Sequence, residues 1–229
     1  MKIDLHNFFK YYDENNPLHV VAVGQLEKDL VDSPLIEDTS EWVKLFRTKK
    51  QTGSSYLNVP FYLQTDNYRD ADRTCNSSAC AMCLEYFKPG TLKGAKGDDA
   101  YVQKVFAIGD TTDHSVQTRV LMGYGINSAF RYNLSFADLD RELAVKRPVV
   151  IGILHRGSLS APTGGHMVVV IGKTPSGDYV VNDPYGSLND GYTGDVANGA
   201  RATYKKSDLA RRWCPKGNDG WGRIFEAKK

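Results

Sequence analysis

Cys75, His166 and Asp183 are a thiol, an imidazole and a carboxylate. They sit in the strings RTCNSSACAMCLEYF (73–87), GGHMVVVIGK (164–173) and DYVVNDPYG (178–186). The first string reads as a helix that begins at the thiol, and the other two read as strands. A thiol at a helix N-terminus meets the positive end of the helix dipole, which favours the thiolate. A histidine on a neighbouring strand can hold that thiolate as an ion pair, and a carboxylate one strand further on can fix the ring's tautomer and orientation. The chemistry this predicts is nucleophilic attack by sulfur on a carbonyl carbon. A side-chain amide then becomes useful. Gln64, in the polar loop before Cys75, is the expected donor to the oxyanion, with the Cys75 backbone N–H as the second donor.

Competing readings exist for each residue. His155 ends a predicted strand and rivals His166 as the base. Asn182-Asp183-Pro184 is also a turn signal. Cys83 falls among Ala79, Met82, Tyr86 and Phe87 on a core-like helix face, and Cys80 is ambiguous. Cys75-x4-Cys80-x2-Cys83, with Cys214 distant, matches an iron–sulfur spacing. That reading needs an irregular loop, whereas SSACAMCLEYF is helix-forming and lacks glycine. No metal and no cofactor are expected. Gly164 and Gly165 allow another chain to approach His166 closely, so Gly165, with Asn76 beside the thiol, is an expected substrate contact.

The elements that must position these groups follow from pattern and punctuation. Helices are predicted from Cys75 or Asn76 to about Phe87, over 98–109, and over 114–125 with Thr112 or Asp113 as cap. A strand is predicted at 126–134, then a helix capped by Ser135 with Asp138 in its first turn. Strands follow at 148–155, 166–173 and 178–184, the last two joined by a turn at Thr174–Gly177. A Gly-rich loop covers 186–200, a helix includes Ser207–Trp213, and 220–227 is expected to close the sheet. Residues 56–63 read as an edge arm containing Pro60. Helices first and strands later describe an α+β protein. The polar stretch 49–55 marks a boundary between a small helical N-terminal element, 1–53, and a main domain, 54–229.

The chain has 229 residues, 41% hydrophobic and 24% charged, with net charge +2, a composition that fits a globular protein and selects no partner. The first forty-five residues are acid-rich and the last thirty basic. The basic residues are scattered and form no run, and nucleic acid is not an expected partner. No stretch approaches the ~20 apolar residues of a membrane span, and MKIDLHNFFKYYDENN lacks a secretory pattern. Cytoplasmic residence with reduced thiols is therefore expected. Oligomeric state is not readable from the sequence.

Four motifs in order, NVPFYLQTDN, RTCNSSACAM, GGHMVVVIGK and YVVNDPYG, resemble the papain-like cysteine peptidases related to the bacteriocin-leader-processing (double-glycine) peptidases. The likeness is to their stand-alone bacterial and bacteriophage branch, and it covers roughly residues 56–213. The resemblance implies a papain-like fold, with N-terminal helices packed on an antiparallel sheet. It also implies a Cys–His–Asp triad of Cys75, His166 and Asp183, with Gln64 at the oxyanion hole. Asn76 stands where the family usually has glycine, and the loop from Gln64 to Cys75 is longer than typical. No transporter segment or ATP-binding motif accompanies the domain, which argues against leader processing during export. The first residues resemble the front of small phage lysis enzymes. The expected function is a cysteine peptidase cutting peptidoglycan peptides as a phage endolysin, held in the host cytoplasm until a holin releases it. The alternatives are a protein-directed processing peptidase, a non-catalytic binding module, and a virion protein with this fold.

Overall fold

The run MVVVIG at 167–172 is apolar at every position, so a strand built from it must be covered on both faces. The computed structural model describes residues 55–226, and the helical element expected at 1–53 lies outside them. Strand β1 spans Ser55–Tyr56. Helices α1 (Cys75–Phe87), α2 (Asp98–Ile108) and α3 (His114–Gly123) follow, then β2 (Ser128–Leu134) and α4 (Phe136–Ala144). The long strands β3 (Val149–Ser158) and β4 (Ala161–Lys173) come next, then β5 (Tyr179–Asn182), β6 (Ala202–Tyr204), α5 (Lys206–Arg212) and β7 (Gly220–Phe225). All pairings are antiparallel. The sheet order is β2-β7-β3-β4-β5-β6, with β1 against the far end of β4. This is the α+β, papain-like arrangement of helices on an antiparallel sheet.

Side chains alternate across the strands, and the core divides accordingly. Val150, Met167, Val169, Ile171 and Val180 pack with α1, α2 and α3 on one face. Val149, Ile151, Ile153, Val168, Val170 and Val181 pack on the other, with Leu139 of α4 and Leu209 of α5. Helix α1 is buried at every residue from Asn76 to Leu84, so it is a central helix without an exposed stripe.

The structure differs from the sequence expectation at three strands. β3 and β4 run on through 156–165, which reads as loop because Gly, Ser and Pro dominate it. The ladder Arg156↔Thr163 to Ser158↔Ala161 supplies the order that the residue types do not. β5 stops at Asn182, because the chain turns at Asp183 and Pro184 has no N–H to give a ladder. β6, only three residues long, has no signal in the residue pattern. It exists through its ladder to Tyr179–Val181. Elsewhere Asp113 caps α3, its carboxylate accepting from Ser115 N–H at 2.7 Å. Ser135 and Asp138 form the expected capping box.

Beneath the start of α1 lies a buried polar network. Asn67 Nδ2 donates to Thr74 Oγ1 and Ser78 Oγ, and Ser78 Oγ donates to Asp98 Oδ2 at 2.6 Å. Burial pushes the Asp98 carboxyl up to about 6, partly offset by the Ser78 hydrogen bond. A raised carboxyl holds its proton more firmly in the folded than in the unfolded state. Its contribution to stability therefore falls as pH rises from about 4 to above 6, by about 2–3 kcal/mol. Asp98→Asn removes this titration. Urea unfolding of variant and wild type at pH 4, 5.5 and 7 should show the variant gaining on wild type as pH rises. A difference independent of pH would contradict the burial of an ionisable group there.

Candidate active site

The start of α1 has no side-chain cap. Thr74 is the N-cap residue, but its side chain makes no cap bond. Its hydroxyl donates instead to Ala71 O and accepts from Asn67 Nδ2. First-turn amides of a helix lack intrahelical partners, and here no side chain replaces them. The Asn76 N–H points at the Cys75 sulfur.

The sheet opens at the same level. β5 pairs with β4 only from Val169 onward, at Val169↔Asn182. The edge of β4 beside Met167 therefore has no strand neighbour on that side, and the Met167 N–H is one of the groups that act to lower the Cys75 thiol. Cys75 is half-buried in this notch.

His166 is 4% exposed and Asp183 fully buried. His166 Nε2 donates to Asp183 Oδ1 at 2.6 Å, which leaves Nδ1 for the hydrogen bond to Cys75. Asp183 accepts three more bonds. They come from Tyr185 N–H to Oδ1 at 3.0 Å, Tyr204 Oη to Oδ2 at 2.6 Å and Tyr192 Oη to Oδ2 at 3.1 Å. Burial, then the Asp183 charge, pushes both phenols up, so they stay protonated as donors. The Asp183 N–H donates to Gly199 O at 2.9 Å. A Cβ at Gly199 would lie 2.1 Å from the Asp183 carbonyl oxygen, so only glycine permits this approach.

The electrostatics follow from these contacts. Burial opposes a charged imidazole, but the charge and hydrogen bond of Asp183, then those of Cys75, push His166 up to about 10. Burial would likewise push the Cys75 thiol up. The hydrogen bond and charge of His166, with the Met167 and Asn76 amides, outweigh it and hold Cys75 below its ordinary value. Thiolate and imidazolium thus each favour the other's charged form, an arrangement able to deliver a sulfur nucleophile and return a proton.

The remaining candidates are placed as follows. Gln64 is buried at the foot of the site. Its backbone N–H donates to Pro184 O at 2.9 Å and its Nε2 to Ala71 O at 2.8 Å, while Oε1 has no partner among the described residues. It clamps the Asp183 turn to the segment that leads into α1. Asn76, expected at the substrate, is 2% exposed, and its side chain is turned away. Its Nδ2 meets Thr111 O at 3.4 Å and His114 Nδ1 at 3.3 Å, because the helical turn directs it into the contact with α3. Gly165 is exposed beside His166, with the Trp221 ring 3.7 Å from where a Cβ would stand. The adjacent Gly164 takes φ +69°, which favours glycine.

His155 packs its ring 5.1 Å from that of His166. Burial, then the His166 charge, pushes it down to about 4, so it is neutral at pH 7. Its Nδ1 lies 3.3 Å from Gly164 O, and its Nε2 accepts from Arg156 Nε. Cys80 and Cys83 are buried within α1, and burial pushes both up. Cys214 belongs to the core on the opposite face of the sheet. The four thiols therefore do not converge. Sequence reasoning missed Tyr192, Tyr204 and Gly199, whose spacing from Asp183 carries no local signal.

Comparison with known proteins gives two kinds of match. Residues 56–218 match the family model described as Peptidase_C39 like family. No curated protein matches the chain. Among solved structures, the chain resembles a C39-like peptidase from Bacillus anthracis, with TM-score 0.52 and 14% identity over 77% of this chain and 99% of that one. A double glycine motif protease from an AMS/PCAT transporter, solved in complex with the leader peptide, gives TM-score 0.47 and 17% identity over 76% of this chain and 95% of that one.

If Asp183 sustains the His166 charge, Asp183→Asn lowers the imidazolium pKa and so raises that of Cys75. Iodoacetamide labelling read by peptide mass spectrometry should find Cys75 alkylated first in the wild type. In the variant, labelling at pH 7 should slow at least ~10-fold, one unit of thiol pKa being tenfold in thiolate. Identical rate–pH profiles for the two proteins would refute the coupling.

Proposed function

The chain belongs to the Peptidase_C39 like family, a family of cysteine peptidases, and from that premise we propose that it hydrolyses amide bonds in peptidoglycan peptides as an endolysin. The observation that carries the catalytic part is the contact of a depressed thiol at an uncapped helix start with a buried histidine–carboxylate pair.

In this reading Cys75 is the nucleophile. Its thiolate attacks the carbonyl carbon, forming the carbon–sulfur bond and moving the π electrons onto oxygen. The oxyanion is met by the Cys75 N–H and by Gln64 Nε2, whose second hydrogen is not used by Ala71. His166 gives its Nδ1 proton to the departing amine as the carbon–nitrogen bond breaks, leaving a thioester. Neutral His166 then takes a proton from water, whose oxygen displaces Cys75. Asp183 holds the ring's tautomer throughout. Gly165 is exposed next to His166 in β4 and suits a substrate contact.

The wall as substrate is supported by the basic residues of the last thirty positions and by Arg156 and Arg212, which line a cavity next to His155. Among the described residues no helix is long and apolar enough to cross a membrane. In this reading a holin-type pore releases the protein from the cytoplasm to the wall.

Purified wall fragments incubated with the full-length protein and read by mass spectrometry test both parts. We expect products that gain one water and expose a new amine within the peptide moiety. Cys75→Ala should abolish them while leaving the melting temperature nearly unchanged, and His166→Ala should slow them by at least ~10²-fold. Intact wall peptides together with cleavage of added protein would instead support a protein-directed peptidase. Unchanged turnover in Cys75→Ala would overturn the assigned nucleophile.

A further inference from the structure

The buried His166 ring is flanked by three rings, those of His155, Tyr185 and Tyr192, with centroids 5.1–6.0 Å from its own. Beyond them lies a cavity of about 480 Å³, lined by these three residues together with Arg156, Gly157 and Arg212. Two of its lining residues are cations and none is an acid.

Neither arginine forms an ion pair among the described residues. Arg212 is 9% exposed. Its Nη1 donates to Leu154 O at 2.6 Å and Arg156 O at 3.0 Å, and its Nη2 to Gly157 O at 3.0 Å. Carbonyl dipoles satisfy those donors but leave the net charge without a counter-ion among the described residues, and burial of an unpaired charge is costly. Arg156 is exposed and spends its Nε on His155 Nε2 at 3.2 Å, leaving Nη1 and Nη2 without a hydrogen bond among the described residues. The nearby carboxylates are committed elsewhere. Asp183 is saturated by its four donors. Asp190 accepts from the Tyr192 N–H and from Asn198 Nδ2. Burial lowers His155 most, and the charges of His166 and Arg156 add to it.

We propose that this cavity is a subsite for a carboxylate of the peptide substrate, held by Arg156 and Arg212. The inference rests on the peptidase reading above and names the substrate class more closely. The rings that adjoin His166 also line the cavity, so the carboxylate belongs to the part of the peptide bound next to the scissile bond. The favoured substrates are then peptides that carry a free carboxylate near that bond, either an acidic side chain or an unblocked chain end. Guanidinium groups suit this role because they offer paired donors to a carboxylate.

The test uses the full-length protein and two product-like dipeptide amides, Ala-Glu-NH2 and its neutral isostere Ala-Gln-NH2. Each is titrated into 15N-labelled protein and followed by NMR. The expected result is that Ala-Glu-NH2 shifts the Arg156 and Arg212 Nε–H resonances and binds at least about tenfold more tightly than Ala-Gln-NH2. In Arg156→Gln, an exposed change that leaves the β3 carbonyl contacts of Arg212 in place, the ratio should collapse towards one. A folded Arg212→Gln should do the same, and Arg156→Gln decides the matter by itself where Arg212→Gln does not fold. Equal affinities, no binding of either dipeptide at millimolar concentration, or a ratio unchanged in Arg156→Gln would overturn the subsite. The two readings fail separately. Acid-selective binding without any cleavage of wall peptides or proteins would sink the peptidase reading alone, and cleavage without acid selectivity would sink this inference alone.

Discussion

A fully buried carboxylate with four hydrogen-bond donors, Asp183, is the constraint on which the rest of the site depends. Taking a carboxylate out of water costs several kcal/mol, offset only when its lone pairs are met and its charge is paired. Two phenols, one backbone amide and one imidazolium meet those conditions here. That requirement explains features that look unrelated along the chain. The loop after Asp183 must return to bring Tyr192 back, β6 must pair with β5 to bring Tyr204 in, and Gly199 must lack a side chain so that its carbonyl can take the Asp183 N–H.

The same logic operates on the thiol side. An unsatisfied helix start and an unpaired strand edge are liabilities in a protein core. Here they face each other across Cys75. Asn76 and Met167 supply their N–H groups to sulfur, and Thr74, the residue that would normally cap the helix, is occupied by Ala71 and Asn67. The charge on sulfur and the charge on His166 are then held by one connected set of contacts that runs from the α1 N-terminus to β6.

Much of this is legible from residue types alone, for reasons specific to each element. Helices α1, α2 and α3 announce themselves through composition, an Asp cap and the Pro89-Gly90 stop. The Ser135–Asp138 capping box is encoded within four residues. The order of Cys75, His166 and Asp183 along a helix and two strands already places three reactive groups where the observed sheet brings them into contact. What is not legible depends on long-range pairing. The outer half of the β3–β4 hairpin is written in turn-like residues and ordered by its ladder, and β6 is too short to carry a period. Tyr192 and Tyr204 lie nine and twenty-one residues from Asp183, and nothing local distinguishes them from other tyrosines. Adjacency to the thiol points Asn76 to the substrate side, but a helical turn rotates its side chain into the α3 contact.

The central claim is that His166 is an imidazolium at neutral pH because Asp183, and then Cys75, flank it. The most direct measurement is the charge state of His166 itself, by 15N NMR titration of histidine-labelled full-length protein. The account predicts that His166 keeps both ring protons through neutral pH and loses one only near pH 10, while His155 is neutral across the same range. It also predicts that the His166 titration moves to lower pH in Cys75→Ala, where the thiolate is gone. A neutral His166 ring at pH 7 in the wild-type protein would contradict it.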